Sequence, residues 1–283
     1  MKTGLVMEGG AMKGIFTCGV IDVMMERGLT FDGAIGVSAG AAFGCNLKSN
    51  QPGRPLRYNI KYVNDKRYAS FQSLFTTGDF YGVDFCYRRI PDELDPWDRK
   101  AFRENPMEFY CVATDCETGR AVYHKCKDGG ETDLQWIRAS ASVPVVSRVV
   151  EIGNRKLLDG GISDPIPLRY FEWKGYSKNV VITTKPADYV DRIGWGSVAA
   201  VKAALHKYPN AVRATEQSPK HYNRTMEYLR KREEEGAIFT IRPPQDLEIG
   251  AVGKSEENLL RVYKIGRETA IRRWNDLVRF LNS

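Results

Sequence analysis

Three short stretches of the chain carry residue types that could do chemistry together. The first is Gly36-Val37-Ser38-Ala39-Gly40, a G-x-S-x-G pattern. A serine nucleophile must project from a sharp turn, so its neighbours must be small. Gly36 and Gly40 let other chain segments pass the serine without a Cβ clash. The second is Glu8-Gly9-Gly10-Ala11-Met12-Lys13-Gly14. Successive small residues there expose the N–H groups of Gly9, Gly10, Ala11 and Met12, which suit an oxyanion or a phosphate. The third is Asp159-Gly160-Gly161, which follows Leu157-Leu158 and precedes Asp164-Pro165-Ile166-Pro167. A strand followed by a proline-stiffened turn would hold the Asp159 carboxylate with little freedom.

A nucleophilic serine needs a base. His124, His206 and His221 all lie outside glycine-rich contexts. An Asp-then-His order after Ser38 would suit a hydrolase triad, which keeps His206 and His221 open as bases. Asp159 is the other candidate. If it shares the end of a sheet with Ser38, it could take the serine proton directly, provided burial raises its pKa. The other Asp-Gly-Gly, at Asp128, is flanked by Lys125, Lys127 and Glu131 and reads as an exposed turn. The glycine loop also has a second reading. Gly9-x-Ala11-x-x-Gly14 is close to the dinucleotide fingerprint, which would make the chain a Rossmann-like nucleotide-binding module. That fold wants an acidic residue at the end of the second strand. Val37-Ser38 stand there instead, and Asp32 precedes the strand. An oxyanion hole is the preferred reading.

The elements around these stretches follow from periodicity. Gly4–Glu8 and Gly33–Val37 are short apolar runs, each followed by a tight turn and then a helical pattern, over Ile15–Arg27 and Ala39–Leu47. Strands are expected at Glu108–Thr114, Arg120–Lys125, Lys156–Leu158, Asn179–Thr184 and Ala237–Ile241, and a short helix at Asp133–Ser142. A long amphipathic helix is expected over Ser255–Leu281, with Tyr263, Ala270, Trp274, Leu277 and Leu281 on one stripe. Phe71–Pro106 reads as an irregular excursion, a lid or a substrate wall. Short buried strands alternating with helices imply a mostly parallel sheet covered on both faces, in one α/β domain spanning residues 1–283.

Composition narrows the surroundings. Charged residues make up 27% of the 283 residues, as in an ordinary globular protein. No apolar run is long enough to span a bilayer, and the N-terminus lacks a secretory pattern. A cytoplasmic protein, in peripheral contact with membrane at most, is expected, its six cysteines reduced. Cys111, Cys116, His124 and Cys126 offer the ligand types of a zinc site, but their spacing fits better a β-hairpin turning at Glu117-Thr118-Gly119. No metal or cofactor is expected. The net charge of +7 would favour an anionic membrane surface, through Arg54–Arg67 or Lys220–Arg232, unless these are solvated helix faces. No nucleic-acid motif is present, and no nucleic-acid partner is expected.

Taken together, the three stretches resemble the patatin-like phospholipase family, which includes the cytosolic phospholipases of animals. Ala113-Thr114-Asp115-Cys116-Glu117-Thr118-Gly119 and Ala139-Ser140-Ala141-Ser142-Val143-Pro144 add to the resemblance, and Pro244–Gly266 looks like its bacterial branch. The resemblance implies a three-layer α/β/α sandwich and a Ser38–Asp159 dyad without histidine. It implies an oxyanion hole in the glycine loop, with Lys13 and Gly14 completing that motif and Gly160 and Gly161 completing the aspartate's. The substrate implied is a lipid or other fatty-acyl ester, and an acyltransferase or thioesterase would use the same groups. Three departures stand out: Ala11 replaces a third glycine, Lys13 an arginine, and Asp164 an asparagine.

Overall fold

The computed structural model describes residues 1–192, 197–250 and 255–283. Residues 251–254, within the Pro244–Gly266 stretch, lie outside the described residues. Among those described, one sheet holds eight strands: β1 (Lys2–Met7), β2 (Gly33–Val37), β3 (Glu108–Asp115), β4 (Ala121–Cys126), β5 (Val150–Ile152), β6 (Arg155–Asp159), β7 (Tyr176–Ile182) and β8 (Ile238–Ile241). Their order is β5-β6-β3-β2-β1-β7-β8, with β4 paired to β3. The run β3-β2-β1-β7-β8 is parallel, and β4, β5 and β6 pair antiparallel.

Alternation along the strands sorts their side chains onto two faces. Leu5, Met7, Ala34, Phe109, Cys111, Val180 and Ile182 face one apolar cluster, with α1 (Ile15–Glu26), α2 (Ala39–Lys48) and the helix Glu256–Arg272. Val6, Ile35, Val37, Tyr110, Val112 and Val181 face the other, against Tyr222, Met226 and Leu229 of the helix Pro209–Glu234. Helices on both faces of a mostly parallel sheet make the three-layer α/β/α sandwich. No helix among the described residues is long and apolar enough to cross a membrane.

The long C-terminal helix expected over Ser255–Leu281 is two helices, Glu256–Arg272 and Trp274–Asn282. The first half lies so close to α1 that a Cβ on Gly19 would come within 2.2 Å of the Tyr263 carbonyl oxygen. A Cβ on Gly266 would come as close, 2.2 Å, to that of Phe16. The two helices are separated at Arg273 alone, and Leu277 of the second is buried. Trp274 then stacks under the Arg27 guanidinium at 4.6 Å. Gly266→Leu is expected to destabilise the fold by about 2 kcal/mol in urea unfolding. Overpacking of about 3 kcal/mol outweighs a helix-propensity gain of about 1 kcal/mol. No loss of stability would mean that the two helices can part.

Phe71–Pro106 is not irregular but three helical pieces: Phe71–Thr77, Phe85–Leu94 and Arg99–Glu104. The middle piece is a π-helix containing Pro91. Proline has no N–H to give the usual ladder, and here Asp95 N–H reaches back five residues to the Ile90 carbonyl. The basic stretches are mixed: Lys61, Lys66, Lys220, Arg224, Arg230 and Lys231 are exposed, while others are buried or paired. Arg54 is buried, donating to the Asp95 carbonyl and to Asn46 Oδ1 at 2.9 Å each. Arg57 pairs with Asp95, Arg67 with Asp65, and Arg232 with Glu172 and Glu235.

Candidate active site

The strand register brings the candidate groups together. In the parallel pair β2/β3, Val37 lies opposite Val112, so Ser38 emerges at the level of Ala113. In the antiparallel pair β3/β6, Ala113 lies opposite Asp159. Ser38 and Asp159 therefore end their strands at one level, on either side of β3.

Ser38 occupies a strained turn, φ 54° and ψ −122°, just before α2. Its glycine neighbours are there for space: a Cβ on Gly36 would meet the Gly40 carbonyl oxygen at 2.2 Å, and one on Gly40 would meet that of Met7 at 2.4 Å. The Ser38 N–H donates to Ser140 Oγ at 2.9 Å. The Asp159 N–H donates to the Ser142 carbonyl at 2.8 Å. The Ala139–Pro144 stretch thus ties down both residues, a role its sequence did not reveal.

Asp159 is fully buried, and its Oδ1 accepts the Gly161 N–H at 2.8 Å. Burial pushes its pKa up to about 7, against the opposing influence of the Ser38 hydroxyl and the Gly161 N–H. The Ser38 hydroxyl is near enough to favour the carboxylate, yet Oδ2 has no partner of full hydrogen-bond geometry. Slack contacts of this kind tighten when substrate binds.

The glycine loop turns through Gly10 at φ 144° and Ala11 at φ 49°. Ala11 adopts the left-handed conformation that a third glycine would take freely. Among the described residues, the N–H groups of Gly9, Gly10, Ala11 and Met12 have no acceptor. Four unsatisfied donors beside a serine are what a developing oxyanion needs. The loop is held by groups far away in sequence. Thr184 Oγ1 donates to the Gly9 carbonyl at 2.6 Å, and Thr184 N–H to Glu8 Oε2 at 2.7 Å. Glu8 Oε1 accepts the Tyr222 hydroxyl at 3.0 Å, with Lys185 Nζ at 3.8 Å. Burial raises the Glu8 pKa, against the pull of Lys185 and these hydrogen bonds. Glu8 opens the glycine motif, but nothing local marks it as a latch. Lys13 is outside the site, paired with Asp246 at 2.7 Å. Asp164 Oδ2 accepts the Tyr123 hydroxyl at 2.7 Å.

Ser38 sits where two cavities meet. One, of about 140 Å³, is mainly apolar and is lined by Met12, Phe43, Tyr58, Ile90 and Ile137 among others. Pieces of the Phe71–Pro106 excursion, including Tyr81, Tyr87 and Trp97, wall it. The other, of about 190 Å³, is less apolar and is lined by Glu8, Gly9, Gly10, Asp159, Lys185, Tyr189 and Tyr222. His124, His206 and His221 line neither cavity.

The cysteine–histidine group folds as the hairpin, with β3 and β4 joined through Glu117-Thr118-Gly119. Cys116 packs away from the others, against Leu158 and Ile162. The compact set is instead His124, Cys126 and Asp133, with ligand atoms within 4.8 Å of one another. Asp133 is already committed. Its Oδ2 accepts three backbone N–H groups, from Lys127, Asp128 and Gly129, and its Oδ1 contacts His124 Nε2 at 2.8 Å. Burial raises the Cys126 thiol pKa well above its usual value. The arrangement is a loop anchor. All six cysteines are free thiols.

Comparison with known proteins gives two family matches. The model described as patatin-like phospholipase matches residues 5–172, and a domain of unknown function, DUF6363, matches residues 208–282. The uncharacterized protein YjjU of Escherichia coli is 28% identical over 94% of this chain and 75% of its own length. A lysophospholipase, nte1, of Aspergillus niger is 25% identical over 87% of this chain but only 16% of its own length. The crystal structure of VipD from Legionella pneumophila aligns with a TM-score of 0.46 and 15% identity, over 97% of this chain and 67% of that one.

Proposed function

The chain belongs to the patatin-like phospholipase family, and from that premise we propose that it hydrolyses acyl esters of lipids through Ser38 and Asp159. The observation that carries the reading is the meeting of four features at one point. These are a serine in a strained turn, a buried carboxylate with its pKa raised to about 7, a loop of unsatisfied N–H donors, and an apolar cavity.

The acyl chain lies in the apolar cavity, and its carbonyl oxygen faces the N–H groups of Gly10, Ala11 and Met12. Asp159 takes the Ser38 proton as Oγ attacks the carbonyl carbon. The tetrahedral oxyanion is held by the loop, then collapses. The ester C–O bond breaks, and Asp159 returns the proton to the departing alcohol, which leaves through the cavity lined by Glu8 and Lys185. Water then attacks the acyl-serine, giving its proton to Asp159. The fatty acid departs as Ser38 recovers its hydrogen. The positive end of α2 adds to the stabilisation of negative charge at Ser38. The lysophospholipase in the Aspergillus relative's name is consistent with this class of substrate.

The test is labelling with a fluorophosphonate and mapping of the modified peptide. Label is expected on Ser38, absent in Ser38→Ala and strongly reduced in Asp159→Asn. Label that persists in Asp159→Asn would reject the aspartate as base. No label on the wild-type protein would reject the reading altogether.

A further inference from the structure

Beside the apolar cavity lies a cleft lined by Arg67, Arg88, Arg89, Arg138 and Arg148, set against the acids Asp79, Asp84 and Glu131. The two spaces are neighbours, sharing Asp79, Val83, Tyr87 and Arg138 as lining. Four of the arginines have acidic partners: Arg67 with Asp65, Arg88 with Asp84, Arg89 with Glu93, and Arg138 with Asp79 at 3.7 Å. Among the described residues, the Arg148 guanidinium has no carboxylate partner, because Asp79 takes its backbone N–H instead. Arg138 Nε is buried and also without a partner. Arg148 in the cleft, and Arg138 in the lining shared with the cavity, therefore keep hydrogen-bonding capacity.

The rim of this cleft is apolar in a way that water does not reward. Thr77, which lines the cleft, ends the helix Phe71–Thr77, and this helix buries no residue and carries no charge. Phe71 and Phe75 are 64% and 85% exposed, and their i, i+4 spacing puts them on one face. Val145 is 41% exposed, in the loop between the cavity-lining residues Val143 and Ser147. It is held at φ 73°, a conformation that costs a β-branched residue energy. The next residue's carbonyl accepts the Phe80 N–H at 2.8 Å, which fastens this loop beside the helix.

We propose that Phe71, Phe75 and Val145, with the arginines of the cleft, form a face that docks on an anionic phospholipid surface. Exposed aromatic and aliphatic side chains enter the headgroup–acyl boundary while the arginines meet lipid phosphates. The residues shared by cleft and cavity then set the docked surface beside the apolar cavity that Ser38 lines, a link that rests on the esterase reading above. The docking itself does not depend on that reading.

The test uses the full chain carrying Ser38→Ala, so that vesicles are not consumed, in sedimentation with phosphatidylcholine vesicles with and without phosphatidylglycerol. Binding is expected to require the anionic lipid and to weaken with salt. Adding Phe75→Ser should weaken it by at least about tenfold, and Arg148→Ser by roughly fivefold. With Ser38 restored, these variants should keep wild-type hydrolysis of a soluble short-chain ester, which verifies folding. No binding by the parent, or equal binding by the variants, would overturn the docking face. Vesicle binding without any ester hydrolysis by the wild type would instead reject the proposed function and leave the docking face standing.

Discussion

Replacing Asp159 with asparagine is expected to lower ester hydrolysis by roughly 10⁴-fold or more while leaving the protein folded. Asparagine preserves the shape and can still accept the Gly161 N–H, but it cannot take a proton from Ser38. The wild-type pH profile should carry the same signature. Burial raises the Asp159 pKa to about 7, so the carboxyl is protonated and idle below that value and becomes a competent base above it. The kcat/KM of a soluble ester should therefore climb through a single ionisation near pH 7 and level off on the alkaline side. A profile already flat through pH 5 would place the base elsewhere. An Asp159→Asn enzyme of near-wild-type rate would do the same.

The same substitution is expected to make the fold more stable at pH 8, by on the order of 4 kcal/mol. The sign follows from linkage. A carboxyl whose pKa rises on folding binds its proton more tightly in the native state than in the unfolded chain. Its contribution is fully favourable below the unfolded value and is lost as pH rises from there to about 7. At pH 8 the native protein holds a buried carboxylate that would be better solvated if unfolded. The amide introduced by Asp159→Asn carries no charge, so the variant's advantage should appear between pH 4 and pH 7, grow with pH and vanish in acid. Urea unfolding of both proteins at pH 4 and pH 8 measures it. Equal stability at both pH values would mean that the carboxylate is solvated by groups the native geometry does not reveal. Stability given up at a reactive site is a common cost of function.

Much of this molecule is local and was therefore legible in its residues. The β2 strand follows its apolar run residue for residue, and β1, α1 and α2 lie within a few residues of their expected limits. The turn at Ser38 needs small neighbours because the Met7 and Gly40 carbonyls press on it, and the sequence supplies them at fixed spacing. Burial of both faces of the sheet was implied by strands too apolar for a one-sided sheet.

What was not legible depends on partners distant along the chain. A run of arginines and lysines reads as a charged face, yet Arg54 is buried because Asn46 and the Asp95 carbonyl await it. The amphipathic stripe from Tyr263 to Leu281 runs through Arg273 without interruption, so its periodicity did not show the break there or the close glycine-to-backbone contact with α1. Prolines suggested an irregular course between Phe71 and Pro106, where a π-helix that accommodates Pro91 instead walls the cavity.

The sequence by itself determined which groups are available for chemistry: a serine in a tight turn, a row of backbone N–H donors and an aspartate before two glycines. Each is a matter of a few neighbouring dihedral angles and side-chain sizes. The tertiary structure decided how they meet. Register across β3 puts Ser38 level with Asp159, and Thr184, Glu8 and Tyr222 lock the glycine loop across as many as 214 residues of chain. The raised pKa of Asp159 is decided there too, because desolvation comes from everything packed around a carboxyl and not from the residues beside it in sequence.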